Sequence, residues 1–292
     1  MAGTALSAIP KVAAVDIGTN SMRLLMIQQI GDGTVELGRW ERVTGLGTGV
    51  DESGRLSDEA MDRTLLALAE FGARMNKAGV AKRRAVATSA ARDASNRERF
   101  FDRAELALGV RPELISGEEE ASLAFAGATA GRTDAPLVID IGGGSTEFVT
   151  AAGGTSYEIG SVRLTDRVLS PRPATIEQLT AGRAMVAESF IGVAPFAGPV
   201  LGVAGTWTSL ASIEGADVLT LLAITAWIDR LAGMSIEETA AIPGLDPARA
   251  SVILAGAVVA EGALTAVEAA SIEVSTSGLL DGITAGLLTI DS

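Results

Sequence analysis

One short motif occurs twice in this chain, and it limits the fold more than any other feature. Residues 14–24 read AVDIGTNSMRL and residues 138–148 read VIDIGGGSTEF. Aligned without a gap, Asp16 matches Asp140, Gly18 matches Gly142 and Ser21 matches Ser145. Each copy is an apolar run that ends in Asp, turns at Gly and small polar residues, and resumes as an apolar run. That pattern predicts a β-hairpin whose turn offers backbone N–H groups and short side chains to an anion. A buried strand ending in a carboxylate beside such a turn suits a phosphate with its metal ion. Two copies predict two similar halves that face one another with phosphate between them.

The order of elements repeats as well. Strands are expected at 11–17, 22–30 and 33–43. Ser57 should cap a helix that runs to about Ala78, and Asn96 a helix over 97–108, with strands at 84–88 and 111–115. In the second half strands are expected at 136–141, 145–151 and 155–160, then helices at 163–170 and 175–192. A strand at 199–204 leads into a helix at Gly205, helices follow near 220–233 and 246–268, and a strand at 271–275 precedes a helix from Gly278. A three-strand meander followed by alternating helix and strand, twice over, predicts an α/β architecture of two mixed sheets with helices on their faces. No Pro- or Ser-rich linker marks the join near 117–135, so the halves should sit close around a cleft. The Gly45–Gly49 segment, GLGTG, lacks the third Gly and the amphipathic helix of a dinucleotide loop and reads as a mobile loop.

Two absences narrow the chemistry. The chain has no Cys and no His. Thiolate nucleophiles, imidazole bases, serine–histidine triads and His- or Cys-bound metals are therefore excluded. Acid–base work falls to carboxylates, Lys or the single Tyr157, and a metal would sit among oxygens, which favours Mg²⁺, Mn²⁺ or Ca²⁺. A net charge of −13 argues against nucleic acid and acidic membranes as partners. The charge is uneven: residues 82–103 hold seven basic side chains against three acidic ones, enough to attract a polyanion or merely to form a solvated helix face. The N-terminus is a poor signal peptide and the longest apolar run, 252–260, is too short to span a bilayer, so the expected location is cytoplasmic.

The chemistry-bearing segments follow. Asp140–Glu147, DIGGGSTE, is the stronger anion turn: Gly142, Gly143 and Gly144 let a ligand approach the backbone, and Ser145 adds a hydroxyl. Asp140 and Glu147 frame it with carboxylates able to hold a divalent ion, although solvated acids on a tight hairpin would read the same. Asp16–Ser21, DIGTNS, is weaker alone, and Arg23 is read as pointing outward. Thr88–Asn96 places Arg92 just after a strand, where it suits phosphate or simply pairs with an acid. The Glu118–Glu120 run is the best source of a general base, while at least one of the three serves the helix dipole. Gly202–Thr206, GVAGT, opens a helix and offers the Thr206 hydroxyl, or packs Gly against the sheet.

Taken together, VDIGTNSMRL, ATSAARDASN, ISGEEEASL, LVIDIGGGSTEF, EIGSVRLTD and GVAGTWTSLA resemble, in the same order, the exopolyphosphatase and guanosine-pentaphosphate phosphohydrolase family, over nearly the whole chain. The resemblance implies two ribonuclease H-like domains of the actin, sugar-kinase and chaperone-ATPase type around a cleft, divided at 119/120, with the last helix (about 278–292) packing back on the first. It implies Glu120 as catalytic base and Asp140 and Glu147 as ligands of the divalent cation, with Asp16 nearby. It implies Asn20, Ser21, Arg92, Gly142, Gly143, Gly144, Ser145 and Thr206 as phosphate-contacting positions. Ala204 stands where the family often has Ser, and the His-dependent helical extension of longer relatives has no counterpart here.

The expected function is thus metal-dependent removal of terminal phosphates from inorganic polyphosphate, with short chains favoured. One alternative keeps the chemistry and takes the 5′-γ-phosphate of guanosine pentaphosphate, with guanosine tetraphosphate as a related ligand. Another is a non-catalytic nucleotide-binding regulatory module, and a third a kinase or ATPase, for which no clear adenosine pocket is visible. The Ala- and Gly-rich stretch at 246–268 packs either within its domain or against a second copy, leaving a homodimer open.

Overall fold

The computed structural model describes residues 10–31 and 33–289, so the start of the chain, the tip of the second hairpin and the last three residues of the expected final helix lie outside it. The first half contains β1 (Lys11–Ile17), β2 (Ser21–Ile30), β3 (Gly33–Val43), α1 (Val50–Ser53), α2 (Asp58–Ala78), β4 (Lys82–Ala87), α3 (Ser89–Asp93), α4 (Arg97–Leu108) and β5 (Glu113–Leu114). Helix α5 (Gly117–Ala128) leads to β6 (Leu137–Ile141), β7 (Thr146–Thr150), β8 (Gly153–Tyr157), α6 (Ser161–Arg167), α7 (Ile176–Ser189), β9 (Val200–Val203) and α8 (Gly205–Glu214). The remainder is β10 (Val218–Thr220), α9 (Leu221–Ala232), α10 (Ile236–Ala240), a 3₁₀ turn at Pro247–Arg249, α11 (Ile253–Ala266), β11 (Ser271–Val274) and α12 (Leu279–Thr289).

The two sheets share one plan. The first runs β3-β2-β1-β4-β5 and the second β8-β7-β6-β9-β11, with β10 added at the edge. In each, a meander pairs antiparallel and the later strands pair parallel to its first strand. These are the two mixed sheets that the repeated motif implied, in the ribonuclease H-like form that the family resemblance implied.

β1 is apolar almost throughout because both its faces are covered. Ala13, Val15 and Ile17 face the core under α2 and α4, with Phe71, Met75, Phe100 and Leu108. Val12 and Ala14 face the other way, with Leu279, Leu280 and Ile283 of α12. Asp16 falls on this second face by the two-residue period, and Asp140 falls on the matching face of β6 beside Val138. Helices α5 and α12 occupy the space between the sheets. They cross so closely that a Cβ on Gly127 would lie 2.0 Å from Gly278 O, and one on Gly282 would lie 2.1 Å from Leu123 O.

Several local expectations change. Ser57 caps α2 as expected, its Oγ accepting from Ala60 N, but Asn96 caps nothing: its amide exchanges two bonds with Leu56. The strand expected at 111–115 shrinks to two residues, and the helix expected over 246–268 begins at Ile253, because Pro247 opens a separate 3₁₀ turn. The short elements α1, α3, α10 and β10 carried no readable period. Helix α11 is apolar on all sides and buried from Ile253 to Ala260, which places that stretch in the core of its own half. No helix among the described residues is long and apolar enough to cross a membrane.

Candidate active site

The two repeated turns meet in one cavity of about 50 Å³ between the halves, lined by Asp16, Asn20, Ser21, Glu120, Asp140, Gly142–Ser145 and Thr206. Each turn is held from behind by its carbonyls. In the second turn Gly142 O accepts from Ser161 N (3.0 Å), and Gly143 O accepts from Val162 N (2.8 Å) and Arg163 N (3.1 Å). Gly144 O accepts from Arg163 Nε (2.8 Å). The unsatisfied N–H groups at the start of α6 thus bind the turn, which itself stands in for a cap. In a trans peptide the C=O and the following N–H point opposite ways. The N–H groups of Gly143, Gly144 and Ser145 are therefore turned away from α6, toward the cavity, and none has a protein acceptor among the described residues.

The first turn uses a different brace. Thr19 O accepts from Gly47 N (2.7 Å), and Asn20 O from Thr44 N and Gly45 N (2.9 Å each). The GLGTG segment is therefore a packed support, with Leu46 fully buried, and not a mobile loop. Its glycines allow that closeness, since a Cβ on Gly47 would lie 2.3 Å from Thr19 Cγ2. By the same peptide geometry the Asn20 N–H faces the cavity.

Carboxylates surround the space between the turns. Asp16 and Arg23 are register partners on β1 and β2, and Asp16 Oδ2 accepts from Arg23 Nε (2.9 Å) and Nη2 (2.6 Å). Arg23 lines the cavity and does not point outward as expected. In the second half the same register sets Glu147 opposite Asp140. Glu147 lies behind the cavity, not on its wall. Its Oε1 accepts from Ser156 Oγ (2.7 Å), and its Oε2 is buried without a partner, as is Asp16 Oδ1.

Of the acidic run opening α5, only Glu120 is buried and reaches the cavity; Glu118 and Glu119 stay outside, Glu119 pairing with Arg84. Glu120 Oε2 accepts from Arg92 Nη1 (2.8 Å), and no described residue donates to Oε1. Arg92 does not line the cavity. It also donates to Ile115 O, so it holds the carboxylate where a phosphate contact was expected. Thr206 sits on the wall at the start of α8, just after Ala204, whose φ of 72° and ψ of −177° form a backbone conformation few residues other than Gly adopt. Arg249, from the 3₁₀ turn, reaches across to Ser21 Oγ (3.1 Å) and Glu41 of the first half.

Sequence reasoning missed Arg23 and Arg249. The first was findable: two residues seven apart across a tight hairpin share a face, as Asp140 and Glu147 do. For Arg249 the only signal was its rarity, one of three basic residues after position 173.

Burial dominates the titration of these acids. It pushes Glu120 up to about 7 against the pull of Arg92, and Asp140 up to about 7 against that of Arg23. It lifts Glu147 well above the usual range, reinforced by Glu120 and Asp140, and raises Asp16 despite Arg23. Cramming four acids together is costly unless cations join them.

The expected metal set of Asp16, Asp140 and Glu147 does not assemble: no three acidic side chains among the described residues are placed to hold an ion. A smaller set does fit. The unpartnered Asp16 Oδ1 and the carboxylate of Asp140 both belong to the wall, and Mg²⁺ is commonly held by one or two carboxylates with water and phosphate completing its shell.

The sequence model of the Ppx/GppA phosphatase family matches residues 26–290. Exopolyphosphatase 2 of Mycobacterium tuberculosis (strain CDC 1551 / Oshkosh) is 36% identical over 323 aligned positions, covering 96% of this chain and 99% of that protein. Among solved structures, an exopolyphosphatase-like protein superposes with a TM-score of 0.86 at 37% identity, covering 94% of this chain and 96% of that one. A Ppx/GppA family member from Aquifex aeolicus gives 0.78 at 30% identity, covering 97% and 99%.

Proposed function

The chain belongs to the Ppx/GppA phosphatase family, and from that premise we propose that it is an exopolyphosphatase, cutting the terminal phosphate from inorganic polyphosphate and releasing orthophosphate. The observation that carries this reading is the meeting of three inward N–H groups at Gly143–Ser145 with a buried carboxylate, Glu120, whose Oε1 is free to take a proton. A terminal phosphoryl set between the turns receives hydrogen bonds from Gly143, Gly144, Ser145 and Asn20, while Arg23 and Arg249 offset its charge. Ser21 and Thr206 add hydroxyls at the rim.

Glu120 orients a water on the open side of phosphorus and accepts its proton at Oε1. The water oxygen bonds to phosphorus as the bridging P–O bond breaks, and the departing chain carries away the electron pair. Arg92, fixed by Ile115 O, keeps Glu120 aimed and favours its ionised form. A divalent cation, of which Mg²⁺ is the proposed identity, would be held by Asp140 and Asp16 and would supply charge neutralisation on the phosphoryl oxygens; Glu147 would act one row behind.

The cavity takes a terminal phosphoryl, the group that polyphosphate and guanosine pentaphosphate share, so kinetics on the two substrates separates them. The deciding experiment is phosphate release from polyphosphate of defined lengths and from guanosine pentaphosphate, with Mg²⁺, with Mn²⁺ and with neither. Glu120→Gln should lower kcat by about 10²–10⁴-fold. Wild-type phosphate release by that variant would overturn the base assignment, and absence of any release by the native protein would overturn the hydrolase.

A further inference from the structure

Helix α6 ties the halves together directly behind the Gly142–Ser145 turn, and one side chain makes most of the ties. Arg163 keeps only about a tenth of its side chain exposed. Within its own half, Nε donates to Gly144 O (2.8 Å) and Nη2 to Glu158 (2.9 Å). Toward the first half, Nη1 donates to Asp51 of α1, and Nη2 to Asp93 of α3 (2.7 Å), with a longer contact to Ser89 Oγ (3.4 Å). A guanidinium is a rigid planar fork, so its five donors cannot be aimed independently. If Asp51 and Asp93 withdraw, the fork is free to turn and Gly144 O loses its anchor.

That carbonyl is the back of the peptide whose front is the Ser145 N–H. We propose that Arg163 is a positioning residue that couples the approach of the first half to the orientation of the Gly144–Ser145 peptide. The Ser145 N–H then faces the phosphoryl only while Asp51 and Asp93 hold the guanidinium. The proposal rests on the phosphatase reading and says how that site is completed when the halves meet. Two other ties in the same seam, Arg167 to Asp51 and Gly49 N to Asp166 (2.9 Å), do not touch the turn, so they separate positioning from simple clamping.

The test compares Arg163→Gln, Arg163→Lys, the Asp51→Asn/Asp93→Asn double variant and Arg167→Gln. Each is assayed for phosphate release from tripolyphosphate with Mg²⁺, for tripolyphosphate affinity by calorimetry without metal, and for thermal unfolding. Losing one preorganised donor of this kind costs about 10²-fold in kcat, so Arg163→Gln and Arg163→Lys should both fall by that order, with a loss of affinity nearer tenfold. The double variant, which spares Arg163 and Gly144, should lose about tenfold in kcat, and Arg167→Gln should stay within about twofold. Wild-type kcat in Arg163→Lys or in the double variant overturns the proposal, as does an equal loss in Arg167→Gln. Should Arg163→Gln be unfolded at the assay temperature, the double variant decides. If the native protein binds tripolyphosphate without cleaving it, the hydrolase reading fails, and the affinities alone decide the role of Arg163.

Discussion

Adding a single methyl group at Gly144 should hold the halves apart. A Cβ there would lie 2.4 Å from Ser89 Oγ, 3.0 Å from Ser89 Cβ and 3.1 Å from Thr19 Oγ1, all in the facing half. Ordinary contacts of this kind lie near ~3.5 Å, so relief needs a movement of about 1 Å. The turn cannot retreat, because Gly160 is already so close behind that its own Cβ would meet Gly143 O at 2.6 Å. The cleft must open instead. A misplacement of about 1 Å costs about 10²-fold in rate, and overpacking costs about 1–3 kcal/mol in stability. Gly144→Ala should therefore lose roughly 10²-fold in kcat/KM for phosphate release from polyphosphate while remaining folded by circular dichroism. Adding Ser89→Gly removes both Ser89 contacts and should restore about tenfold of that loss. Activity of Gly144→Ala within about twofold of the native protein, or no recovery in the double variant, would refute the argument that the cleft leaves no room for one carbon.

Three further expectations follow from the same geometry. Ala204→Gly should stabilise the protein by about 1 kcal/mol in urea unfolding, since relief of a strained backbone worth about 1–3 kcal/mol exceeds the ~0.4–1 kcal/mol of extra chain freedom in the unfolded state; a loss above about 1 kcal/mol would contradict it. The rate of phosphate release should climb with pH through about 7 as Glu120 ionises, while stability of the ligand-free protein should fall between about pH 5 and 8. The sign follows because burial lifts Glu120, Asp140 and Glu147 above their unfolded values, so the unfolded chain releases those protons first as pH rises, and Glu147→Gln should flatten the slope. Gly127→Ala, which drives a Cβ into Gly278 O, should cost about 3 kcal/mol and lower the melting temperature; an unchanged melt would mean that α5 and α12 do not cross there.

Much of this molecule was legible before its structure. The duplicated Asp–Gly–Ser motif gave both meanders and put Asp16, Asp140 and both turns in one cavity, because strand period and turn chemistry are local properties. The Glu118–Glu120 run emerged by elimination in a chain without His, and the family resemblance singled out Glu120. What stayed hidden was pairing between distant segments. Nothing in GLGTG announces that its N–H groups hold the carbonyls of Thr19 and Asn20, and nothing near Arg163 names Asp51 or Asp93. Arg92 was placed beside the site with either a phosphate or an acid as its partner, and the acid proves to be Glu120, which the residues near Arg92 in the sequence do not name. Glu147 was expected at the cation because it closes the DIGGGSTE turn; it stands directly opposite Asp140, with its carboxylate bonded to Ser156 on β8, a partner the turn sequence does not name.

Helix α12 has a consequence during synthesis. The outer face of the first sheet, with Val12, Ala14, Leu25, Ile27 and Val86, is sealed by Leu279, Leu280 and Ile283. Those residues leave the ribosome about 165 positions after β5 is complete. At roughly 5–20 residues per second, that greasy surface waits about 8–30 s for its lid. The nascent chain therefore carries an uncovered aliphatic sheet through the synthesis of the whole second half, and the amino-terminal half reaches its native packing only after α12 has been made.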